Sequence, residues 1–289
     1  LPLDGSHGCH QRAIETINAL GEVGCEVHLL SRQDEWNKWE DKHVEKAKSL
    51  GVEHLDIFNP EGTFENIVEE HNNYVRIMNE LNLKVNLLEP LEDFPDSIFV
   101  EDPAIIYRTN CIILNSSETS RNGEKKIISN EIKEYFENIF FIENGFIEGG
   151  DILNINNHFI IGLSNRTNKI GAENLSNILF SLGASVSICH TPKNVLHFKS
   201  ECSLIDNDVI LVSSKMAKLD YLKSHYNLIE LPIGEEGAAN SLRINDKLIV
   251  PEGFIKANEI LSKNYDIINI KVNEISKVDA GLSCMSLRW

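Results

Sequence analysis

The chain has 289 residues, 42% of them hydrophobic, so it is long enough to bury a core without disulfide or metal staples. Its formal net charge of −17 argues against nucleic acid and anionic membranes as partners, because both require a basic footprint. The longest apolar runs, such as FIIGL and VILV, are far shorter than the roughly 18 residues that cross a bilayer, so no membrane anchor is expected.

The first 58 residues differ in character from the rest. A helix is predicted over QRAIETINALGEVG (residues 11–24) and a strand over EVHLLSR (residues 26–32), and a charged, Trp-containing stretch follows. The start has neither the basic segment nor the apolar core of a secretory signal. The six cysteines are scattered without the spacing of a disulfide framework, so we expect a reduced, cytoplasmic protein.

A repeated order of elements begins at residue 63. Apolar residues at helical spacing from Phe64 to Leu81 predict a helix, and KVNLLEP (residues 84–90) reads as the strand after it. Four further units are each predicted as two strands, a helix and a strand. In chain order they are SIFVEDPAIIY, CIILN, a helix over 123–138 and IFFI; DILNI, HFIIGLS, a helix over 168–182 and ASVSIC; CSLID, VILVSS, KMAKLDYLKSHY and LIELPI; and SLRIN, KLIVPEG, IKANEILSK and YDIINIKV.

The first helix has no strand pair of its own next to it in the sequence. The final segment AGLSCMSLRW (residues 280–289) and EVHLLSR are candidate strands, so the chain ends could complete the first unit and close a ring. Units that cannot bury their own apolar face are stabilised by stacking, and closure removes exposed strand edges. We therefore predict an α/β ring of five ββαβ units.

The nearest approach to a metal-ligand cluster is formed by His7, Cys9, His10 and Cys25. A structural zinc site uses four ligands, usually in two close pairs, and this group has no convincing second pair. The sequence also has neither a P-loop lysine motif nor a G-x-G-x-x-G after a strand. We predict no metal and no nucleotide-phosphate site.

Three segments place charged groups beside strand-like runs: FPDSIFVEDP (94–103), FIEGGDI (146–152) and VLHFKSECS (195–203). A fourth, KVDAGLSCMSLRW, sets Cys284 between small residues that leave its sulfur open to approach. Each alone has a simpler interpretation: a turn whose glycines supply positive φ, a half-buried histidine, an inert thiol. Together, a thiol, a histidine and a carboxylate can act as nucleophile, acid/base and orienting group.

These segments, together with GLSNRTN, GAANS and VDAGLSCMS, resemble the dimethylarginine dimethylaminohydrolases, guanidino-group-modifying enzymes of the pentein fold. The resemblance covers roughly residues 58–289. It implies an α/β, five-bladed ββαβ propeller with pseudo-fivefold arrangement and a divergent N-terminal segment. The expected domains are residues 1–58, contributing at most a first-blade strand at 26–32, and a catalytic domain at 59–289.

The same resemblance implies a role for individual residues. Those roles are nucleophile for Cys284, catalytic histidine for His197, its orienting carboxylate for Glu148, guanidinium binding for Glu101 and Asp102, α-amino binding for Asp96 and the backbone carbonyl of Val278, and α-carboxylate binding for Arg121 and Arg166.

The implied activity is hydrolysis of asymmetric dimethylarginine or monomethylarginine to citrulline and di- or monomethylamine, through a covalent Cys284 thiouronium and without a cofactor. The partner is then a small cationic amino acid, and a homodimer stays open. In the family, an N-terminal strand and a flexible loop cover the substrate, whereas residues 1–58 do not match that pattern. The preference among arginine derivatives therefore stays open too.

Three alternatives remain on the sequence alone. Within the class, the chain could be an arginine deiminase or an amidinotransferase, which the identity of the released product would separate. It could also be a non-catalytic pentein-fold binding protein. A third reading takes residues 1–58 as a glycosyltransferase remnant, which would bind a nucleotide sugar.

Overall fold

The computed structural model describes residues 27–32, 52–58, 63–91 and 93–289, with side chains from residue 66 onward. The chain divides into two compact units, Leu1–Glu69 and Glu70–Trp289. In the first unit, strands β1 (Val27–Arg32) and β2 (Val52–Phe58) pair in parallel. The predicted helix over 11–24 and the residues of the HGCH cluster lie outside the described residues.

The second unit contains four successive ββαβ units. In each, the first two strands form an antiparallel hairpin and the third lies parallel to the second. Their elements are β3 (Ala104–Tyr107), β4 (Asn110–Ile113), α2 (Glu124–Ile132) and β5 (Asn138–Phe141); β6 (Ile152–Ile155), β7 (His158–Leu163), α3 (Lys169–Ser181) and β8 (Ser185–His190); β9 (Cys202–Leu204), β10 (Val209–Val212), α4 (Asp220–His225) and β11 (Asn227–Glu230); and β12 (Leu242–Ile244), β13 (Lys247–Pro251), α5 (Ile255–Leu261) and β14 (Asp266–Ile270).

Local chemistry sets the tight turn predicted in the second of these units. Asn156 and Asn157 join β6 to β7, and both have positive φ, at 49° and 72°. Two central residues with positive φ match the right-handed twist of a hairpin, and asparagine tolerates that conformation better than most residues. The predicted turn is therefore confirmed.

Each middle strand of these sheets is buried on both faces. Along β7, Phe159 and Ile161 pack in a core shared with the preceding unit, whereas Ile160 points to a core shared with the following unit. Along β10, Leu211 likewise faces the unit after it. Burial on both faces explains why these strands read as uninterrupted apolar runs rather than as alternating patterns.

Several predicted strands are wrong. KVNLLEP has no strand, and its residues are mostly exposed, with Leu87 65% accessible, so no neighbouring sheet buries them. SIFVEDPAIIY is a strand only over Ala104–Tyr107, because the residues before it form successive turns such as the bond from the Phe99 N–H to the Asp96 carbonyl. These turns bring polar side chains inward.

The chain end is also not a strand. Residues 282–285 form a turn around Cys284, and the Trp289 ring packs on Tyr135 and Phe136 with centroid distances of 5.5 and 5.3 Å. EVHLLSR does form a strand, β1, but its partner is β2.

Two helices complete the described elements, α1 (Thr63–Glu80) and the short α6 (Asn273–Ser276). Both oxygens of the buried Glu70 carboxylate accept N–H groups at the start of α6, which joins the middle of α1 to the segment leading to Cys284. No helix in the described part of the chain combines the length and apolarity that a bilayer crossing requires.

Candidate active site

The segments just before the first strand of each unit supply most of the predicted site residues. Asp102 precedes β3, Glu148 precedes β6 and His197 precedes β9. A one-turn 3-10 helix lies between the last two of these residues and their strands, at Gly149–Asp151 and Phe198–Glu201. Equivalent positions of successive units therefore carry the chemistry.

His197 and Glu148 form a buried pair. His197 Nε2 lies 2.7 Å from Glu148 Oε2, and the two residues are only 8% and 1% exposed. Ser116 donates a hydrogen bond to the other oxygen of Glu148, Oε1, and the Glu148 N–H donates to Thr167 Oγ1 at 3.2 Å. The carboxylate is thereby fixed in position and fixes the ring in turn.

The charge of His197 is decided by its surroundings. Burial alone would lower the pKa of the imidazole, but the negative charge of Asp102 and the hydrogen bond to Glu148 outweigh it, with help from Asp151. Together they raise the pKa of His197 to about 9. The ring is therefore an imidazolium at neutral pH, which is the form that can donate a proton.

The two glycines of EGGD are required by close packing. A Cβ on Gly149 would lie 2.0 Å from the Glu101 carbonyl oxygen, and a Cβ on Gly150 would lie 2.7 Å from the ring of His197. Neither glycine has positive φ, so the simpler interpretation of a turn demanding left-handed glycines is wrong. Their missing side chains let the first and third loops of the site approach the second.

Asp102 and Arg121 form a deeply enclosed ion pair in the site. Arg121 Nη1 donates to Asp102 Oδ2 at 2.7 Å, and their side chains are 4% and 6% exposed. The Gly150 N–H donates to the other oxygen, Oδ1, at 3.0 Å. Burial opposes ionisation of Asp102, but the charges of His197 and Arg121 hold the pKa of this carboxyl below its usual value.

Arg121 is bonded on several sides. Besides Asp102, its Nε and Nη2 donate to Glu124 at 2.9 and 2.6 Å, and Nη2 also donates to the Phe99 carbonyl at 2.9 Å. Four of the five N–H groups of a guanidinium are thus used within the protein. A direct role for Arg121 in binding a substrate carboxylate stays a prediction, and it has one N–H left for that purpose.

Glu101 joins the same centre to the cysteine loop. Its Oε1 accepts from Lys199 Nζ at 2.5 Å, its Oε2 accepts from Ser283 Oγ at 3.0 Å, and its backbone N–H donates to the Cys284 carbonyl at 3.2 Å. Arg288 Nη2 lies 3.4 Å from Oε1. The Glu101 carboxylate therefore lies among hydrogen-bond donors and cationic side chains next to the nucleophile candidate.

The surroundings of Cys284 favour a neutral thiol. Burial raises the pKa of the thiol to about 12, and the charges of Glu101 and Asp102 add to that effect. The Gly281 N–H, 3.5 Å from the sulfur, and Lys199 act in the opposite direction. An added cation between the thiol and the carboxylates would remove the repulsion that keeps Cys284 protonated.

Comparison with known proteins shows the family of this chain. A family model described as arginine deiminase matches residues 62–231. The N(G),N(G)-dimethylarginine dimethylaminohydrolase of Pseudomonas aeruginosa is 35% identical over 225 residues, which is 77% of this chain and 88% of that protein. The chain belongs to the dimethylarginine dimethylaminohydrolase family. Solved structures agree, since a Cys-to-Ser mutant of the P. aeruginosa enzyme complexed with citrulline has a TM-score of 0.75 at 34% identity, covering 78% of this chain and 89% of that one.

The pentein fold of the dimethylarginine dimethylaminohydrolases is also found in more distant structures. The N-terminal domain of a cyanobacterial arginine dihydrolase has a TM-score of 0.70 at 16% identity, covering 78% of this chain and 86% of that chain. At that identity the likeness shows the fold alone. The predicted α/β pentein fold is confirmed, and the described residues contain four of its predicted ββαβ units, whereas their arrangement as a five-bladed propeller stays a prediction.

The remaining predicted residues of this dimethylarginine dimethylaminohydrolase site lie around the same loops. Asp96 accepts a hydrogen bond from Ser120 Oγ at 3.1 Å. Arg166 is partly exposed, with Nη1 at 3.0 Å from Glu118 and 3.8 Å from Glu148. Val278 lies in the turn after α6 and is 47% exposed. Their roles stay predictions.

Asp102, Glu148 and His197 also have the spacing of a metal site, with one ligand atom from each within 4.8 Å of the others. Their chemistry does not fit one well. Glu148 already bonds the imidazolium, and Asp102 already bonds Arg121. A divalent cation would have to displace two positive charges, so the absence of a metal from this site stays a prediction.

Asn240, in the GAANS motif of this family member, has a role that sequence reasoning missed. Its Nδ2 donates to the Lys199 carbonyl at 3.0 Å, and its Oδ1 accepts from the Ser283 N–H at 2.9 Å. Gly281 packs against it so closely that a Cβ would lie 2.3 Å from Asn240 Cγ. This one buried amide therefore joins the His197 loop to the Cys284 loop. Only the position of GAANS before β12 could have hinted at it.

Replacing Asn240 with alanine should lower kcat by about tenfold to a hundredfold while leaving KM nearly unchanged, because the two loops lose their common anchor. The two groups left unpaired should also cost about 1–3 kcal/mol of unfolding free energy. Steady-state kinetics and thermal unfolding measure both effects. Asn174→Ala is the matched control, since Asn174 also bonds a neighbouring loop, at the Asn144 carbonyl, but outside the site. Equal loss of stability without loss of kcat would contradict the positioning role.

Proposed function

We propose that the chain hydrolyses Nω-methylated arginine, asymmetric dimethylarginine or monomethylarginine, to citrulline and di- or monomethylamine. The observation that carries the proposal is the buried His197–Glu148 pair, an imidazolium held in the same network as the half-buried Cys284 thiol. The name of the P. aeruginosa relative and its complex with citrulline support the same substrate class.

The guanidinium of the substrate would bind between the carboxylates of Asp102 and Glu101. Both side chains are already held in place by hydrogen bonds, so they need little reorganisation to accept N–H groups from the substrate. The bound cation also stabilises the thiolate of Cys284, whose resting thiol is kept neutral by those same carboxylates. Substrate binding thereby prepares the nucleophile.

Bond making and breaking then follow in two halves. As the substrate binds, the Cys284 thiol loses its proton to solvent. The thiolate attacks the guanidinium carbon, and the departing amine takes the proton of the His197 imidazolium, which leaves a covalent S-alkylthiouronium. The imidazole, now neutral, accepts one proton from water as the water attacks the same carbon. The Cys284 thiolate then leaves and takes up the remaining hydroxyl proton of the intermediate, so that citrulline, the neutral thiol and the His197 imidazolium are restored.

The amino-acid end of the substrate is assigned to the rim of the site. Asp96 and the carbonyl of Val278 would accept the α-amino group, and Arg166 would bind the α-carboxylate. Arg121, with four N–H groups bonded inside the protein, would serve mainly to hold Asp102, with at most one contact to that carboxylate. An α-amino acid with a guanidino side chain has the matching charges.

A second candidate is arginine deimination, which the match to the arginine deiminase family model favours. The two functions differ in the leaving group, because methylated arginine releases an alkylamine and arginine releases ammonia. We expect citrulline plus dimethylamine from asymmetric dimethylarginine, and turnover of arginine at least about a hundredfold slower in kcat/KM. Chromatographic quantification of citrulline and of both amines decides. Faster turnover of arginine would favour the deiminase, and no turnover of any of these substrates would contradict both.

The same proposal includes a reduced, cytoplasmic location, supported by the four described cysteines, all of which are free thiols: Cys111, Cys189, Cys202 and Cys284. It also takes residues 59–289 as the catalytic domain and 1–58 as a divergent segment. Fluorescence microscopy of a tagged chain tests the location. Light scattering distinguishes a monomer from a homodimer, both of which the proposal allows.

A further inference from the structure

Glu118 and Arg166 form an ion pair at the rim of the site. Arg166 Nη1 lies 3.0 Å from Glu118 Oε1, and the same nitrogen lies 3.8 Å from Glu148 Oε1. Glu148 is the carboxylate that bonds His197. The Glu118 carboxylate of the protein itself therefore forms an ion pair with Arg166, the arginine that lies near the His197–Glu148 pair.

The backbone holds Glu118 in place for this contact. Its N–H donates to Ser116 Oγ at 3.1 Å, and that serine is also bonded to Glu148. Its carbonyl accepts the N–H of Arg121 at 3.1 Å. Glu118 thus lies between the two arginines predicted for the α-carboxylate, on a segment fixed at both ends.

Exposure separates this pair from the other arginine pair of the site. The side chains of Arg166 and Glu118 are 19% and 29% accessible, whereas those of Arg121 and Asp102 are 4% and 6%. Water can reach the first pair and replace either partner, so it can open at low cost, whereas opening the second leaves a buried charge without a partner. An incoming carboxylate would therefore exchange with Glu118 and not with Asp102.

We propose that Glu118 is an internal substitute for the α-carboxylate of the substrate. It neutralises Arg166 while the site is empty, and the substrate must displace it before Arg166 can bind the substrate carboxylate. Glu118 thereby sets the affinity for carboxylate-bearing guanidino compounds and weakens it relative to a site with an open arginine. This inference rests on the proposed hydrolysis of methylated arginine. It identifies Glu118 as a residue that determines the KM for that substrate.

The test is the steady-state kinetics of Glu118→Gln with asymmetric dimethylarginine and with its decarboxylated analogue, N,N-dimethylagmatine. We expect KM for dimethylarginine to fall by about threefold to fivefold, with kcat within twofold, since a partly exposed ion pair is worth up to about that factor. KM for the analogue should not fall, because it has no carboxylate to compete with Glu118. Glu173→Gln removes the same charge from the exposed face of α3 and should change neither value.

Three outcomes would overturn the inference: an unchanged or raised KM for dimethylarginine, an equal fall for both substrates, or a fall in kcat with a displaced pH profile. The last would show that Glu118 keeps Arg166 away from Glu148 instead. Glu118→Ala, checked for folding by thermal unfolding, repeats the test without the amide.

Failure of the proposed function is recognised separately. In that case the unmodified chain would not turn over dimethylarginine, and the Cys284→Ser variant would not bind citrulline in calorimetry. The inference about Glu118 would then fail together with the proposed function. Turnover by the unmodified chain with no change of KM in Glu118→Gln and Glu118→Ala overturns the inference alone.

Discussion

Replacement of Cys284 by serine should abolish turnover of dimethylarginine, with kcat lowered by at least about a thousandfold. A serine hydroxyl is a far weaker nucleophile than a thiolate toward a resonance-stabilised guanidinium carbon. The substrate cation can lower the pKa of a thiol enough to ionise it in this site, but it cannot do so for an alcohol. Substrate binding should persist, because Glu101 and Asp102 are untouched.

Two measurements separate this result from misfolding. Rapid acid quenching followed by mass spectrometry should detect the covalent thiouronium adduct on the unmodified chain and no adduct on the serine variant. Cys189→Ser is the matched control, since Cys189 is also half-buried, has a pKa raised to about 11 by burial, and lies on β8. It should retain full activity. Residual citrulline production by Cys284→Ser, or an adduct on another cysteine, would contradict the assignment.

Burial raises the pKa of Cys189, Cys111 and Cys284 alike, so a shifted pKa does not by itself identify the reactive thiol. What distinguishes Cys284 is its position. It lies on the turn at residues 282–285, directly after the small Ser283, and its carbonyl accepts the N–H of Glu101, in the segment that also carries Asp102. A thiol becomes a nucleophile through the charges and the access that surround it.

The repeating units could be predicted from the sequence because their signals are local. Apolar runs such as VILV and HFIIGL are buried on both faces between neighbouring units. The turn between β6 and β7 depends only on Asn156 and Asn157, which both have positive φ. The strand predicted for KVNLLEP was wrong for the opposite reason, since its alternation resembles a strand but no strand among the described residues pairs with it. Whether a short apolar segment becomes a strand depends on a partner that the segment itself does not reveal.

The site was predictable in its residue types and not in its pairings. The resemblance to the dimethylarginine dimethylaminohydrolases implied that Glu148 orients His197, and the two side chains are paired. The sequence did not indicate that Arg121 would be bonded to Asp102 and Glu124, or that Glu118 would meet Arg166, because such pairs depend on the relative positions of loops from different units. Long-range geometry of this kind leaves no periodic pattern to read.

Replacement of Glu148 by glutamine should lower kcat by about a hundredfold to ten-thousandfold. The side chain keeps its size, but the neutral amide cannot stabilise the positive charge of the His197 imidazolium. His197 must carry that proton before it can protonate the leaving amine. Arg166 also loses a nearby negative charge, because its Nη1 lies 3.8 Å from Glu148. Citrulline release at saturating substrate, measured against the unmodified chain, gives the effect.

The pH profile distinguishes the loss of the protonated His197 as general acid from a distortion of the site. In the unmodified chain the imidazolium predominates below its pKa of about 9, so kcat/KM should fall as the pH rises through about 9, well before the thiol would ionise at about 12 in the free protein. Removing the charge and hydrogen bond of Glu148 leaves burial to lower the pKa of His197, opposed only by Asp102 and Asp151, so the alkaline limb should move to lower pH. Glu131→Gln, an exposed change of the same charge on α2, should leave the limb in place. A Glu148→Gln variant that is slow at every pH but keeps the limb near 9 would show that Glu148 orients the ring without setting its charge.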